Sequence, residues 1–281
     1  YKVPANGGTA VQLTSHNAYD FKPVWSPDGK YIAFASDRYG NFDIFVIPSE
    51  GGTARRLTYH SGNQIPNCFS NDGKYVVFSA TMADHHKNIQ FPSGILSELY
   101  QIPIIGGRAE QILTTTAEEA KFDASGRYIV YQDRKGYENI WRKHHKSSVT
   151  KDIWLYDLKS GKHQKLTSFE GEDRYPVFSK NGQTVYYLSE EKGDFNLFSI
   201  DLKQKGKTVQ HTFFKKHPLR FLTIAGDSDT FCFGYNGEIY TKKGNAKPEK
   251  VKIQIRRDLK NNHISNRILR SGATEMAVSP D

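Results

Sequence analysis

The stretch Pro23-Val24-Trp25-Ser26-Pro27-Asp28-Gly29-Lys30-Tyr31-Ile32-Ala33-Phe34 decides the fold, because the chain repeats it. It returns as Pro66-Asn67-Cys68-Phe69-Ser70-Asn71-Asp72-Gly73-Lys74-Tyr75, then in decayed form over Lys121 to Tyr128 and Pro176 to Gly182. A fifth copy, Phe221 to Thr230, has lost the turn glycine and keeps Asp227-Ser228-Asp229 in its place. Ahead of each copy stands a Leu-Thr pair: Leu13-Thr14, Leu57-Thr58, Leu113-Thr114, Leu166-Thr167 and the degenerate His211-Thr212. Self-similarity at roughly 45 residues is the signature of a repeat architecture.

Working outward from the block, each unit spells four strands. Tyr31-Ile32-Ala33-Phe34-Ala35, Tyr75-Val76-Val77-Phe78-Ser79, Tyr128 to Tyr131, Val185 to Leu188 and Phe231-Cys232-Phe233 are apolar at successive positions. A strand with one wet face would alternate, so these are buried on both faces. Asp-Gly, Ser-Gly or Asn-Gly precedes the first four, as a tight hairpin requires. A third strand follows at Asp43 to Val46, Glu98 to Gln101, Asp152 to Leu155, Asn196 to Ser199 and Glu238 to Tyr240, then a glycine turn and a fourth strand. Helical periodicity is missing throughout. Four antiparallel strands per unit, covered by neighbouring units, describe the blades of an all-β propeller.

Five full blades are expected at about residues 19–58, 64–114, 118–167, 173–212 and 219–253. Tyr1 to Thr14 reads as the last hairpin of a blade whose first strands are missing. The expected fold is therefore a six-bladed propeller over residues 1–253 with its opening blade incomplete. Residues 254–271 read as a basic linker, and 272–281 open a further blade, Ala277 to Asp281 restarting the block. Both ends fall inside a repeat, which predicts a piece of a longer polypeptide.

The 281 residues include 17 Phe and 16 Tyr and only two cysteines, which excludes a disordered chain and a disulfide scaffold. No apolar run approaches the ~18 residues of a spanning helix. The net charge of +9 is uneven: 16 basic and 5 acidic residues lie between Lys203 and Arg270, and the remainder is almost neutral. That basic end suits a solvated linker, an acidic neighbouring domain or membrane headgroups. It lacks the interleaved aromatics of a nucleic-acid platform, so no nucleic acid is expected.

The Trp25-to-Phe34 block, Asp43-Ile44-Phe45-Val46 and the Leu-Thr endings resemble the repeat of TolB-type propellers. The opening Tyr1-Lys2-Val3-Pro4-Ala5-Asn6-Gly7-Gly8 and the insert Lys135 to His145 are most similar to the first, six-bladed propeller of tricorn-type serine peptidases. In that family a seven-bladed propeller, a PDZ-like domain and a serine-peptidase core follow. The resemblance implies that the catalytic groups lie outside this segment and none can be placed on it. It implies a domain that gates or guides peptides through a central channel and docks the other domains. The partners so implied are those domains and peptides, with any homo-oligomer formed through the parent protein. A periplasmic or secreted setting is favoured over the cytoplasm by the same analogy.

No Gly-x-Ser-x-Gly elbow, His-Glu-x-x-His, Gly-x-Gly-x-x-Gly or Walker loop occurs, and no cofactor is expected. Two adjacent blades carry long insertions between their second and third strands, one holding His85 and His86, the other Trp141, Arg142, Lys143, His144 and His145. Both emerge on one face of the ring, where the residues could contact substrate or another domain; Arg and Lys suit a peptide or uronate carboxylate. Neighbouring histidines point apart on a strand, so the doublets are not ligand pairs by spacing, and no metal residue is assigned. A TolB-like interaction module of the cell envelope is the alternative reading. A propeller sugar-acid lyase using the histidine loops with a metal is the third. Tyr39, Phe42, Tyr137 and Phe195 occupy matching loops, as turn packing or as an aromatic ring at one mouth.

Overall fold

Each copy of the repeat folds as a four-stranded antiparallel meander in the computed structural model, which describes residues 1–82, 96–137, 139, 141–204 and 207–256. A short strand, β1 (Gly8–Ala10), precedes blade 1, which comprises β2 (Asp20–Trp25), β3 (Tyr31–Ser36), β4 (Asp43–Pro48) and β5 (Arg55–Arg56). Blade 2 comprises β6 (Gln64–Phe69), β7 (Tyr75–Ala80), β8 (Glu98–Pro103) and β9 (Glu110–Leu113). Blade 3 follows with β10 (Glu118–Phe122), β11 (Tyr128–Gln132), β12 (Ile153–Asp157) and β13 (Lys162–Lys165). Blade 4 holds β14 (Asp173–Phe178), β15 (Thr184–Ser189), β16 (Asn196–Asp201) and β17 (Thr208–Gln210). Blade 5 holds β18 (Leu219–Ile224), β19 (Thr230–Tyr235), β20 (Glu238–Lys243) and β21 (Glu249–Lys250), after which comes β22 (Ile253–Ile255). The first strands β2, β6, β10, β14 and β18 touch in succession and line the axis.

The repeated residues explain themselves in the turns. Ser26 Oγ donates to Asp28 Oδ1 (2.7 Å) and accepts from the Tyr31 N–H (2.9 Å), while Gly29 adopts φ 70° between them. Blade 2 repeats this with Ser70, Asp72, Gly73 and Tyr75, and blade 4 with Ser179, Asn181, Gly182 and Thr184. In blade 3 the Asp123 carboxylate takes the Tyr128 N–H instead (2.7 Å).

The Leu-Thr pair fastens the outer edge of a blade. Leu57 packs between blades 1 and 2. The Thr58 hydroxyl accepts from the Ile44 N–H (2.8 Å) and lies 2.9 Å from Gln64 Oε1 at the start of the next blade. Thr167 and Thr212 accept the N–H groups of Ile153 (3.1 Å) and Leu197 (2.8 Å) in the same way. The degenerate fifth copy thus kept the atom that matters. Thr58→Val, isosteric but without the acceptor, should lose ~1–3 kcal/mol by urea unfolding, with hydrogen-exchange protection at Ile44 falling first. An unchanged midpoint would mean the pair is conserved within the chain for packing alone.

Blades pack face to face through their second strands. Phe78 sits among Ala33, Ile44, Val46 and Leu57 of blade 1; Tyr131 meets Val77, Leu99 and Leu113 of blade 2; Tyr187 meets Val130, Ile153 and Leu155 of blade 3. Phe34, the matching residue of blade 1, is covered by Leu13 from the N-terminal segment, in the place of a preceding blade's leucine.

The blade count differs from the six expected: the described residues form five four-stranded blades. Beyond blade 5 they add a two-stranded sheet in which β1 runs parallel to β22, and a Lys2–Val11 bridge that closes the N-terminal segment as a hairpin. A blade is an antiparallel meander, so a parallel pair cannot be two neighbours within one. The ribbon depends on Gly7: its φ is 93°, and an added Cβ would stand 2.5 Å from the Lys252 carbonyl oxygen. Gln254 and Ile255 therefore belong to a strand and not to the expected linker; 257–271 and 272–281 lie outside the described residues. Cys68 and Cys232 are unbridged, as their placement on distant blades requires, and both are half-buried.

Candidate functional site

Connections between second and third strands, and those between blades, emerge on one face of the ring. The largest described insertion, 133–152 of blade 3, leaves from a fixed base. Asp133 accepts the Asp152 N–H (2.8 Å) and the Trp154 indole N–H (3.0 Å), and Lys135 donates to Asp152 Oδ2 (2.5 Å) and the Thr150 carbonyl (2.6 Å). From there the arm crosses blade 4. Lys143 Nζ pairs with Asp194 Oδ1 (2.9 Å), and the His144 N–H donates to Glu190 Oε2 (2.7 Å) at a left-handed backbone position, φ 53°. The Trp141 ring lies against the Arg220 guanidinium of blade 5, 4.5 Å from the centroid. Trp141, Arg142, Lys143 and His144 are exposed along this crossing.

The structure thus brings Trp141, Lys143 and His144 onto the neighbouring blades. It does not bring them to a metal: among the described residues, no group of three His, Cys, Asp or Glu side chains is placed to hold one. His85 and His86 lie outside the described residues. The loop aromatics form no ring at a mouth. Phe195 is buried, Tyr39 stacks on Phe45, and Phe42 packs against Phe21 and Tyr19.

Beneath the arm, charged groups are paired and partly buried. Glu118 receives Lys151 (2.5 Å) and Arg134 (2.6 Å). Burial would raise its carboxyl, but the two cations outweigh that and hold it down at about 2. Lys121 is turned inward, its ammonium bonded to the Asn67 carbonyl, and burial pulls it below the ordinary lysine range.

The sequence reading missed the residues that face the axis itself. All five first strands carry a bulge, and in four of them the bulge holds a bulky residue in the left-handed region: Lys22 (φ 56°), Glu119 (54°), Tyr175 (55°) and Phe221 (57°). Such a conformation disfavours any residue but glycine by ~1–2 kcal/mol. Pro66 holds the matching place in blade 2, where a ring-locked φ forbids it. The four side chains meet across the axis. Lys22 of blade 1 is ion-paired with Glu119 of blade 3, its Nζ stands 5.6 Å from the Tyr175 centroid in blade 4, and Tyr175 contacts Phe221 of blade 5 edge-on at 5.9 Å. Counting four residues back from Ser26, Asp123, Ser179 and Ala225 in the aligned repeats reaches the four positions, but their side chains share no chemical type that would mark them in the sequence.

With fold and face in view, the comparison with known proteins is decisive. The tricorn protease N-terminal beta propeller domain matches residues 1–247. The chain belongs to that family. Over 151 residues the propeller is 26% identical to a tricorn protease homolog of Saccharolobus solfataricus, a stretch covering 51% of this chain and 13% of that protein. It superposes on the tricorn protease crystal structure with a TM-score of 0.70 at 22% identity, covering 85% of this chain and 23% of the other. A putative TolB from Agrobacterium tumefaciens gives 0.65 at 18% identity, covering 85% and 82%. These solved structures establish the TolB-like propeller fold. The tricorn propeller described here spans a small fraction of the tricorn proteins it matches.

Proposed function

We propose that this domain is the non-catalytic opening propeller of a tricorn-type serine peptidase, where it docks other domains and guides peptides along its insertion-bearing face. The observation that carries the reading is the arm. It is tied to blade 4 by Lys143–Asp194 and His144–Glu190 and to blade 5 by Trp141, so it offers an ordered cationic and aromatic surface rather than a loose loop. Arg142 and Lys143 suit a peptide carboxylate, and the Trp141 ring suits an apolar side chain. Catalysis would come from groups outside this segment.

The test uses this chain alone. Incubated with fluorogenic peptides it should release no product. In fluorescence anisotropy it should bind a peptide with a free C-terminal carboxylate more tightly than its amide, and Arg142→Ala should weaken the free-acid complex ~10-fold. Equal binding of acid and amide would sink the carboxylate role. The likeness to TolB, which covers most of that protein, supports an interaction module of the cell envelope as the second reading. A longer reading frame encoding a serine-peptidase domain would decide between them.

A further inference from the structure

We infer that Asn236 is a site of spontaneous deamidation, in which its side chain cyclises onto the Gly237 nitrogen, and that the fold directs this modification to Asn236 over two equivalent pairs. An asparagine followed by glycine is open to the reaction because glycine has no Cβ to crowd the closing ring. The chain carries three such pairs: Asn6-Gly7, Asn181-Gly182 and Asn236-Gly237. Their sequences rank them equal, and the fold separates them. Asn181 Oδ1 accepts the Ser179 hydroxyl (2.7 Å) and the Gln183 N–H (3.0 Å), and the Gly182 N–H, on the nitrogen that would attack, donates to the Ser179 carbonyl (2.9 Å). The Gly7 N–H donates to the Pro4 carbonyl (2.9 Å), and Gly7 lies so close to the Lys252 backbone that a Cβ would stand 2.5 Å from its oxygen. Asn236 and Gly237 are the two central residues of the β19–β20 hairpin, with φ of 51° and 76° and Tyr235 facing Glu238 as the last pair, a type I′ turn. Among the described residues no hydrogen bond engages the Asn236 amide or the Gly237 N–H. Both residues are exposed, and a Cβ at Gly237 would meet nothing within 4 Å.

Ring closure swings the asparagine carbonyl out of its turn, so each pair reacts only as its turn opens. At Asn181 opening breaks the hydrogen bonds of the serine-Asx turn; at Asn6 it pulls Gly7 and Gly8 off Lys252; at Asn236 it frays the tip of one hairpin. The chemistry needs only water. The Gly237 nitrogen gives its proton to solvent base and bonds to Asn236 Cγ, the Cγ–Nδ2 bond breaks, and that nitrogen takes a proton from solvent and leaves as ammonia. Water then opens the cyclic imide. Addition at Cγ gives aspartate; addition at the backbone carbonyl gives isoaspartate, which routes the main chain through the side chain. Either product places a new negative charge on the face that bears the arm, two residues beyond Gly234, the register partner of the Arg220 that holds Trp141. The inference is independent of the peptide-handling reading.

The test is peptide mapping by mass spectrometry on the full chain after incubation in mildly alkaline buffer, folded and in urea, with heavy-oxygen water marking the carboxyl oxygen gained. Each folded rate is divided by the rate of the same pair in urea, which removes what the sequence alone dictates. The quotient at Asn236 should exceed those at Asn181 and Asn6 at least ~10-fold, a ratio that one or two additional hydrogen bonds across a turn supply. Gly237→Ala, compared in urea so that the turn's backbone conformation plays no part, should slow conversion at Asn236 at least ~10-fold by crowding the ring. Equal quotients at the three pairs, or a folded chain in which Asn236 is as protected as Asn181, would overturn the inference. An unchanged rate in Gly237→Ala would do so as well, because it would mean direct hydrolysis of the amide without the glycine nitrogen.

Discussion

Phe78→Ala should destabilise the propeller by ~3–5 kcal/mol, the largest loss expected from any one substitution in it. The side chain is fully buried and stacks on Tyr100 across β7–β8, with centroids 5.8 Å apart. Its other contacts are the Ala33, Ile44, Val46 and Leu57 wall of blade 1. Two rigid sheets cannot close on the space left by a phenyl ring, because each is held at its spacing by its own hydrogen-bond ladder. The cavity term is therefore added almost whole to the transfer term. Phe34→Ala, at the same register in blade 1, should cost less, because its outer wall is the N-terminal segment with Leu13, which can move. Urea unfolding of both variants checks the pair. A change below ~1 kcal/mol for Phe78→Ala would mean the blades are not packed through these residues.

That contrast shows how much could be read from the chain. The five blades, their turns and the register of Phe34, Phe78, Tyr131 and Tyr187 follow from local chemistry: a serine, an Asx side chain and a glycine fix the hairpins of blades 1, 2 and 4, an aspartate and a glycine that of blade 3, and a two-faced apolar strand must be covered twice. What joins distant parts was not legible. Lys143 meets Asp194, and His144 meets Glu190, across about fifty residues and a blade boundary, and nothing in the arm's composition names those partners. The axial belt was hidden for a different reason. Lys22, Glu119, Tyr175 and Phe221 share a backbone position but no chemical type, and each is a residue that local sterics argue against placing there. The sixth blade was inferred from Tyr1 to Thr14 read as the last hairpin of an incomplete opening blade, whereas β1 in that segment pairs in parallel with β22 and so does not continue an antiparallel meander.

Asp173→Asn should stabilise the protein, and only above mildly acidic pH. Asp173 opens β14 in the place that Gln64 occupies in blade 2, where a neutral amide oxygen faces the threonine of the preceding Leu-Thr pair. In blade 4 that neutral amide is replaced by a carboxyl, 1% exposed. Burial pushes it up to about 7, the nearby Asp152 and Glu191 charges push the same way, and the neighbouring Ser189 and Thr167 side chains offset this only in part, neither carboxyl oxygen having a well-formed hydrogen bond. In the unfolded chain the group loses its proton near pH 4. Between those values unfolding releases a proton that the fold retains, so stability falls as pH rises, and above about 7 the fold bears a buried carboxylate in full. Three pK units correspond to ~4 kcal/mol as an upper bound. Asparagine keeps the hydrogen-bonding shape without the charge, so its advantage should approach that bound at pH 8, shrink through pH 6 and vanish near pH 3. Urea titrations of the two proteins at those values decide it. A difference that does not vary with pH would show that the carboxyl takes up its proton equally readily in the folded and unfolded chain, and so is not perturbed by its burial.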